Sequence, residues 1–203
     1  MDWDATHVLS SDPVRLLFRV YSWQIPSITY GNAQSLPQNP AYDVAKRITG
    51  GGQVFHSPGD IVVALSGHRN TLFLPTPFKE KLAWFQDFLH RALSDAGLKT
   101  QASSAQNTTV DLAYCATYPN PFELNLGTTK IVGVAGRSLR TRFIIQGIIH
   151  LNNGLLFFDQ DPPAQPFLCP GVPDYSHHHT LTVGQALIDA WQQAFQSPKE
   201  TPK

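Results

Sequence analysis

Cysteine is almost missing from this 203-residue chain: Cys115 and Cys169 are its only thiols, too few for the disulfide framework of a small secreted domain. Charge is scarce as well. Charged residues make up 15% of the sequence, and fifteen basic side chains face fifteen acidic ones. A formal charge of zero removes the global positive footprint of a nucleic-acid binder, so no nucleic acid is expected as a partner and any basic site must be local. No apolar run approaches the roughly 18 residues needed to cross a bilayer, so no membrane partner is expected either. Met1 to Pro13 holds three Asp and shows neither the n-region and h-region of a signal peptide nor the Arg-rich pattern of a transit peptide. The expected setting is a cytoplasm, with reduced thiols. Low charge combined with 14 Gly and 16 Pro also argues against a helical bundle or coiled coil.

What the chain does have is a 42% hydrophobic content and a length that suits one generous domain. A single domain over 1–203 is expected, with its core in 14–196 and a frayed tail at 197–203. Val14 to Trp23 reads as a strand stopped by Pro26, Ser27 to Tyr30 as a second strand, and Asn32 to Pro40 as a loop. Lys46 to His56 reads as a Gly-rich turn between short strand-like segments, and Ile61 to Leu65 as a buried strand. Phe78 to Gly97 is the clearest helix: Pro77 opens it, Phe78, Leu82, Phe85, Leu89 and Leu93 share one face, and Gly97 closes it. Gln101 to Thr109 is a polar connector, and Phe122 to Phe158 has the β-branched runs and Gly breaks of an antiparallel meander. Asp161 to Pro173, with five prolines, is irregular. Thr182 to Gln196 makes a last helix with Val183, Leu187, Trp191 and Phe195 inward. Strands in adjacent runs with few helices give an α+β class.

Four features could carry chemistry. Three consecutive glycines, Gly50, Gly51 and Gly52 after Thr49, either make a hairpin turn or bring backbone N–H groups close to a ligand. They are neither a P-loop, since no Gly-Lys-Ser/Thr follows, nor a dinucleotide fingerprint, since no helix follows. Arg47 and His56 set a cation and a titratable group at the same turn. Lys130, flanked by apolar and small residues, is either a fixed positive charge in a groove or a guard on an edge strand. Between Leu124 and Phe158 there is no Asp or Glu, while Lys130, Arg137, Arg140 and Arg142 form a local basic face. Cys115, in a Pro-rich loop near that face, is either a buried hydrophobe or a thiol activated by nearby cations, whereas Cys169 reads as structural. His177, His178 and His179 on a loop cannot all face one ion and lack accompanying ligands, so no metal is assigned.

Taken together, these segments resemble the family of lipoate-protein ligase A and the octanoyltransferases, whose fold is shared with biotin protein ligases. The family's Arg-Tyr-x-Trp strand and Gly-x-x-Gln turn are matched by Arg19-Val20-Tyr21-Ser22-Trp23 and Gly31-Asn32-Ala33-Gln34. Its Arg-Arg-x-Thr-Gly-Gly-Gly-x-Val-x-His motif is matched from Lys46 to His56, and its Lys-Ile-x-Gly-x-Ala-x-Arg segment from Lys130 to Arg137. Cys115 stands fifteen positions before Lys130 with Phe122-Glu123 between them, the arrangement of the cysteine-dependent octanoyltransferases. Val134 and Gly136 replace a more polar Ser and Gln of the usual motif, and the His often found between Gln146 and Gly147 is missing.

The resemblance implies a biotin/lipoate protein ligase-like catalytic domain with a mixed, largely antiparallel sheet packed with helices. It implies an acyltransferase that moves an octanoyl or lipoyl group from an acyl carrier protein, through a Cys115 thioester, to a lysine of a lipoyl-carrier domain. Acceptors of that kind are the glycine cleavage H protein and the E2 of 2-oxoacid dehydrogenases. Cys115 and Lys130 would be catalytic, with Lys130 and the Gly50–Gly52 backbone at the developing oxyanion. Arg47, Thr49, Gly50, Gly51, Gly52, His56, Gly133, Ala135 and Arg137 would bind substrate, and Val54 and Ile131 would line the groove. Arg137, Arg140 and Arg142 would include contacts to acidic partners. No cofactor is implied. Two other readings stay open: an ATP- and Mg-dependent lipoate-protein ligase acting through an acyl-adenylate, and a non-catalytic relative that binds acyl chains or lipoyl domains.

Overall fold

A computed structural model describes residues 16–36, 42–103, 121–158 and 168–196 of the chain. Nine strands form two sheets among these residues. The larger sheet has the order β1-β5-β9-β8-β7-β6, built from β1 (Leu17–Ser22), β5 (Ile61–His68), β9 (Arg142–Ile149), β8 (Thr129–Ser138), β7 (Leu124–Leu126) and β6 (Thr100–Ala102). All its pairs are antiparallel. The smaller sheet has the order β3-β2-β4, with β2 (Ser27–Tyr30) parallel to β3 (Asp43–Lys46) and antiparallel to β4 (Val54–His56). This is the α+β arrangement of mixed, largely antiparallel sheets that the sequence suggests.

Strand alternation decides which face of the large sheet is core and which is available for a site. On β5, Ile61, Val63 and Leu65 join the main core cluster, and Val62 faces the other way with Val54 and Ile148. On β9, Phe143, Ile145 and Ile149 take the core side. Gly147 shares that side, where an added Cβ would stand 3.0 Å from Leu89 and 3.1 Å from Phe85. The helix α1 (Phe78–Asp95) covers this core face with Phe85, Phe88, Leu89, Ala92 and Leu93. Its C-terminal end is a Schellman motif: Gly97 has φ +86°, its N–H donates to Ser94 O, and Leu98 N donates to Leu93 O. Helix α2 (His177–Gln196) adds Val183 and Leu187 to the core, and its Trp191 stacks on Phe18 of β1.

Several expectations need correction. Thr100–Ala102 is an edge strand paired with β7, because Thr100, Gln101 and Ala102 find ladder partners in Leu126, Asn125 and Leu124; residues 104–109 of the expected connector lie outside the described residues. The meander ends at Ile149 and is followed by a 3-10 turn, Gly154–Leu156, rather than more strand. Helix α2 starts at His177, five residues earlier than its apolar periodicity shows, so the three histidines occupy a helical turn. His179 Nδ1 meets Ser176 and His178 Nε2 meets Thr182 there. Arg142, which opens β9 opposite His68 at the end of β5, is buried at 6% exposure; of the expected basic trio only Arg140 is exposed. Val14 and the tail 197–203 lie outside the described residues.

Candidate functional site

The glycine run is not a hairpin. Its flanking strands β3 and β4 lie on opposite sides of β2, so residues 47–53 must cross over the end of β2. Gly31 lies directly beneath this crossover, where a Cβ would stand 2.0 Å from Gly51 O. Asn32 N donates to Thr49 O (2.9 Å), and Gly51 takes φ +96°, which only glycine adopts without strain. Arg47, 6% exposed, fastens the crossover from below. Its Nη1 donates to Thr29 O and Thr29 Oγ1, both at 2.8 Å, and its Nη2 to Gly50 O at 3.2 Å and Gly52 O at 2.7 Å. Arg137 ties β8 to the same segment by donating to Ile48 O (3.2 Å).

Between the crossover, the small sheet and the outer face of the large sheet lies a cleft of about 390 Å³, its open mouth included. Val54, Val62, Gly133, Val134, Ala135, Gly147 and Ile148 give it an apolar lining, with Thr29, Arg47, Thr49, His56 and Gln146 as the polar members. The polar members are paired with one another: Thr49 Oγ1 donates to Gln146 Oε1 (2.7 Å), and Thr29 Oγ1 lies 2.7 Å from His56 Nε2. His56 is 2% exposed and stacks on Trp23 at 4.6 Å between ring centroids. Burial, then the neighbouring charges of His150 and Arg47, push its pKa well below the usual histidine range, so it stands as a neutral ring at pH 7.

Lys130 stands beside Gly133 of the lining. Its Cε would be 3.7 Å from a Cβ placed on Gly133, and its ammonium donates to Glu123 Oε1 at 2.5 Å, Glu123 being 4% exposed. Behind it, Cys169 Sγ donates to the Lys130 carbonyl (3.1 Å), and burial pushes that thiol up to about 11. Asp60, fully buried, ties the turn before β5 to the chain leaving β9. It accepts Ser57 N and His150 Nδ1 on Oδ2, both at 3.0 Å, and Leu151 N (2.8 Å) and Asn152 N (3.1 Å) on Oδ1.

Of the residues singled out from sequence, Arg47, Thr49, His56, Gly133 and Ala135 meet at the cleft, with Val54 beside them. Gly50, Gly51 and Gly52 form the crossover beside it, and the carbonyls of Gly50 and Gly52 turn toward Arg47. Ile131 is fully buried in the main core cluster and is not part of the lining. Cys115 lies in 104–120, outside the described residues; the chain on either side is joined by Ser103 N donating to Glu123 O (3.0 Å). Thr29, Gln146, Asp60 and His150 were not singled out. Gln146 carried a signal, being the one polar side chain inside Phe143–Ile149. Among the described residues no group of three or more His, Cys, Asp or Glu could hold a metal ion.

The sequence model of the lipoyl protein ligase A/B catalytic domain matches residues 6–160, more than half of the chain. The chain belongs to this family. Solved lipoyl protein ligase structures share the fold. A bi-partite lipoate protein ligase from Thermoplasma acidophilum, studied with its E2 lipoyl domain, gives a TM-score of 0.64 at 16% identity, covering 96% of this chain and 76% of the other. A T. acidophilum protein with bound lipoic acid gives 0.66 at 17% identity, over 96% and 78%. A lipoate-protein ligase A bound with ATP gives 0.65 at 16% identity, over 90% and 73%. No curated protein sequence matches the chain. The lipoyl protein ligase A/B domain therefore accounts for the two-sheet fold. Among its described residues, no helix is long and apolar enough to cross a membrane.

Proposed function

We propose that this lipoyl protein ligase A/B domain transfers an octanoyl or lipoyl group from an acyl carrier protein to a lysine of a lipoyl-carrier domain, through a thioester on Cys115. The observation that carries the reading is the character of the cleft. Its walls are apolar, as an alkyl chain requires, and the cations beside it are already engaged. Arg47 holds four acceptors of the fold, Arg137 holds Ile48 O, and Lys130 is paired with Glu123. Such a cleft suits a neutral acyl thioester better than the triphosphate of ATP or the adenylate anion formed from it. Lys130, next to Gly133 of the lining, would hold the thioester carbonyl as negative charge develops on its oxygen. Thiolate attack by Cys115 forms the acyl-enzyme, and the acceptor amine then displaces the thiol.

The second reading, an ATP-dependent lipoate-protein ligase, draws on the fold shared with an ATP-bound lipoate-protein ligase A. One experiment separates the two. Either octanoyl-acyl carrier protein or free octanoate is incubated with the protein and an unmodified lipoyl domain, and the mass of the lipoyl domain is followed with and without ATP. The proposal expects octanoylation without ATP. Octanoylation that needs free octanoate and ATP would replace it with the ligase reading, and binding of the lipoyl domain with no turnover under either condition would favour a non-catalytic relative.

A further inference from the structure

A glycine inside a β-strand weakens the strand, so one that is kept there calls for a reason. We propose that Gly133 determines acyl-chain specificity: the chain lies against the backbone of β8, in the space that a side chain at 133 would fill. The inference rests on the acyl-group reading above and names the residue that lets the chain extend into the cleft.

Among the described residues the fold supplies no reason of its own. Gly133 sits in the interior of β8 with φ outside the left-handed range, so its backbone is open to any residue. Its pairing with Ile148 continues the β8–β9 register on both sides, and the irregularity between β7 and β8 falls at Ile131, before it. Close packing does not demand it either. A Cβ there would meet Ile148 Cγ2 at 3.4 Å and Lys130 Cε at 3.7 Å, which are ordinary van der Waals distances, so a methyl group would leave both where they are. Gly136, on the opposite face of the same strand, shows the contrast. Its Cβ would stand 2.7 Å from Phe78 Cζ and 3.0 Å from Leu82 Cδ2, against α1.

The cleft supplies the reason. Val62, Ile148 and Gly133 are register neighbours across β5, β9 and β8, and all three line it. Val62 and Ile148 are buried in one cluster with Val54 of the small sheet. The row therefore carries two branched side chains and then a gap, bounded by Ile148 and the Cε methylene of Lys130. A gap with such walls suits the methylenes of an acyl chain. Each methylene that leaves water for an apolar wall gains about fourfold in affinity.

The test reads affinity against chain length in the full chain, with butanamide, hexanamide and octanamide as neutral probes in NMR titrations. The wild-type protein should gain about fourfold per added methylene, on the order of 10²-fold from butanamide to octanamide. Gly133→Val, whose branched side chain fills the gap, should cut this octanamide-to-butanamide ratio by about tenfold or more. If Gly133→Val fails to fold, the comparison is read on Gly133→Ala, which should cut the ratio by about threefold without lowering the thermal midpoint, since alanine costs a strand less than glycine. Gly136→Ala is the counter-case: it should lower the midpoint and leave the ratio within about twofold of wild type. A ratio that stays at the wild-type value in the Gly133 variants, or a Gly133→Ala protein that loses stability with its ratio intact, overturns the inference alone. A wild-type protein that shows no gain across the series overturns the acyl-group reading along with it.

Discussion

Replacing Arg47 by lysine keeps the charge and removes the fork, so it isolates what the guanidinium does for the cleft. The fork reaches two pairs of acceptors, Thr29 O and Oγ1 on one side and Gly50 O and Gly52 O on the other. A lysine ammonium is a point donor and can serve one pair only. Hydrogen bonds to charged groups contribute about 1.5–3 kcal/mol each, so losing two of them should cost roughly 3 kcal/mol, a large share of a typical 5–15 kcal/mol. Arg47→Ala leaves all four acceptors without their donor in a buried setting and should cost about 3–5 kcal/mol. The consequence should also be local. With the crossover unfastened from Thr29, the amides of Gly50 to Gly52 should lose hydrogen-exchange protection before the rest of the fold does, and acyl-ligand affinity should fall with them. Urea unfolding with an unchanged m-value measures the first effect, and amide exchange the second. If Arg47→Lys unfolds within about 0.5 kcal/mol of wild type, the size of a neutral surface change, and binds acyl ligand normally, Arg47 does not shape the cleft.

Gly31→Ala should force the crossover upward, because its Cβ would meet Gly51 O at 2.0 Å, and cost about 2–3 kcal/mol in thermal unfolding; Gly50→Ala, with nothing within 4 Å, should stay within about 1 kcal/mol. Stability should fall as pH drops below about 6.5, because the unfolded chain protonates His56 there while burial keeps the folded form neutral; His56→Gln should flatten this slope in pH-dependent denaturation. Cys169, pushed up to about 11, should be on the order of one part in a thousand thiolate at pH 8 and resist iodoacetamide in the native state, as peptide mapping would show. Rapid native alkylation there would contradict its burial behind Lys130.

The parts of this fold that were legible in the sequence are those whose signal is local. Helix α1 announced itself through Phe78, Leu82, Phe85, Leu89 and Leu93 and through Gly97, whose positive φ ends it. The start of α2 stayed hidden because His177 to His179 are polar, although buried Thr180 donates to Gly59 O and pins that first turn. The glycine run was recognisable as special, yet its path was not, since the parallel pairing of β2 with β3 turns an apparent hairpin into a crossover. Arg142 reads as a surface cation beside polar neighbours, yet it is buried at the start of β9, and no local pattern reports that. Asp60 and His150 are ninety positions apart, and most of what Asp60 binds is backbone N–H, which no residue type reports.

The account's central claim is that the acyl group rests on Cys115 before it reaches the acceptor. Intact-mass analysis of the protein after exposure to octanoyl-acyl carrier protein, with no ATP and no acceptor present, tests it most directly. The expected result is one octanoyl adduct on the wild-type chain, mapped to Cys115 and absent from Cys115→Ser. An unmodified wild-type chain under conditions where the lipoyl domain becomes octanoylated, or an adduct that persists in Cys115→Ser, would contradict it.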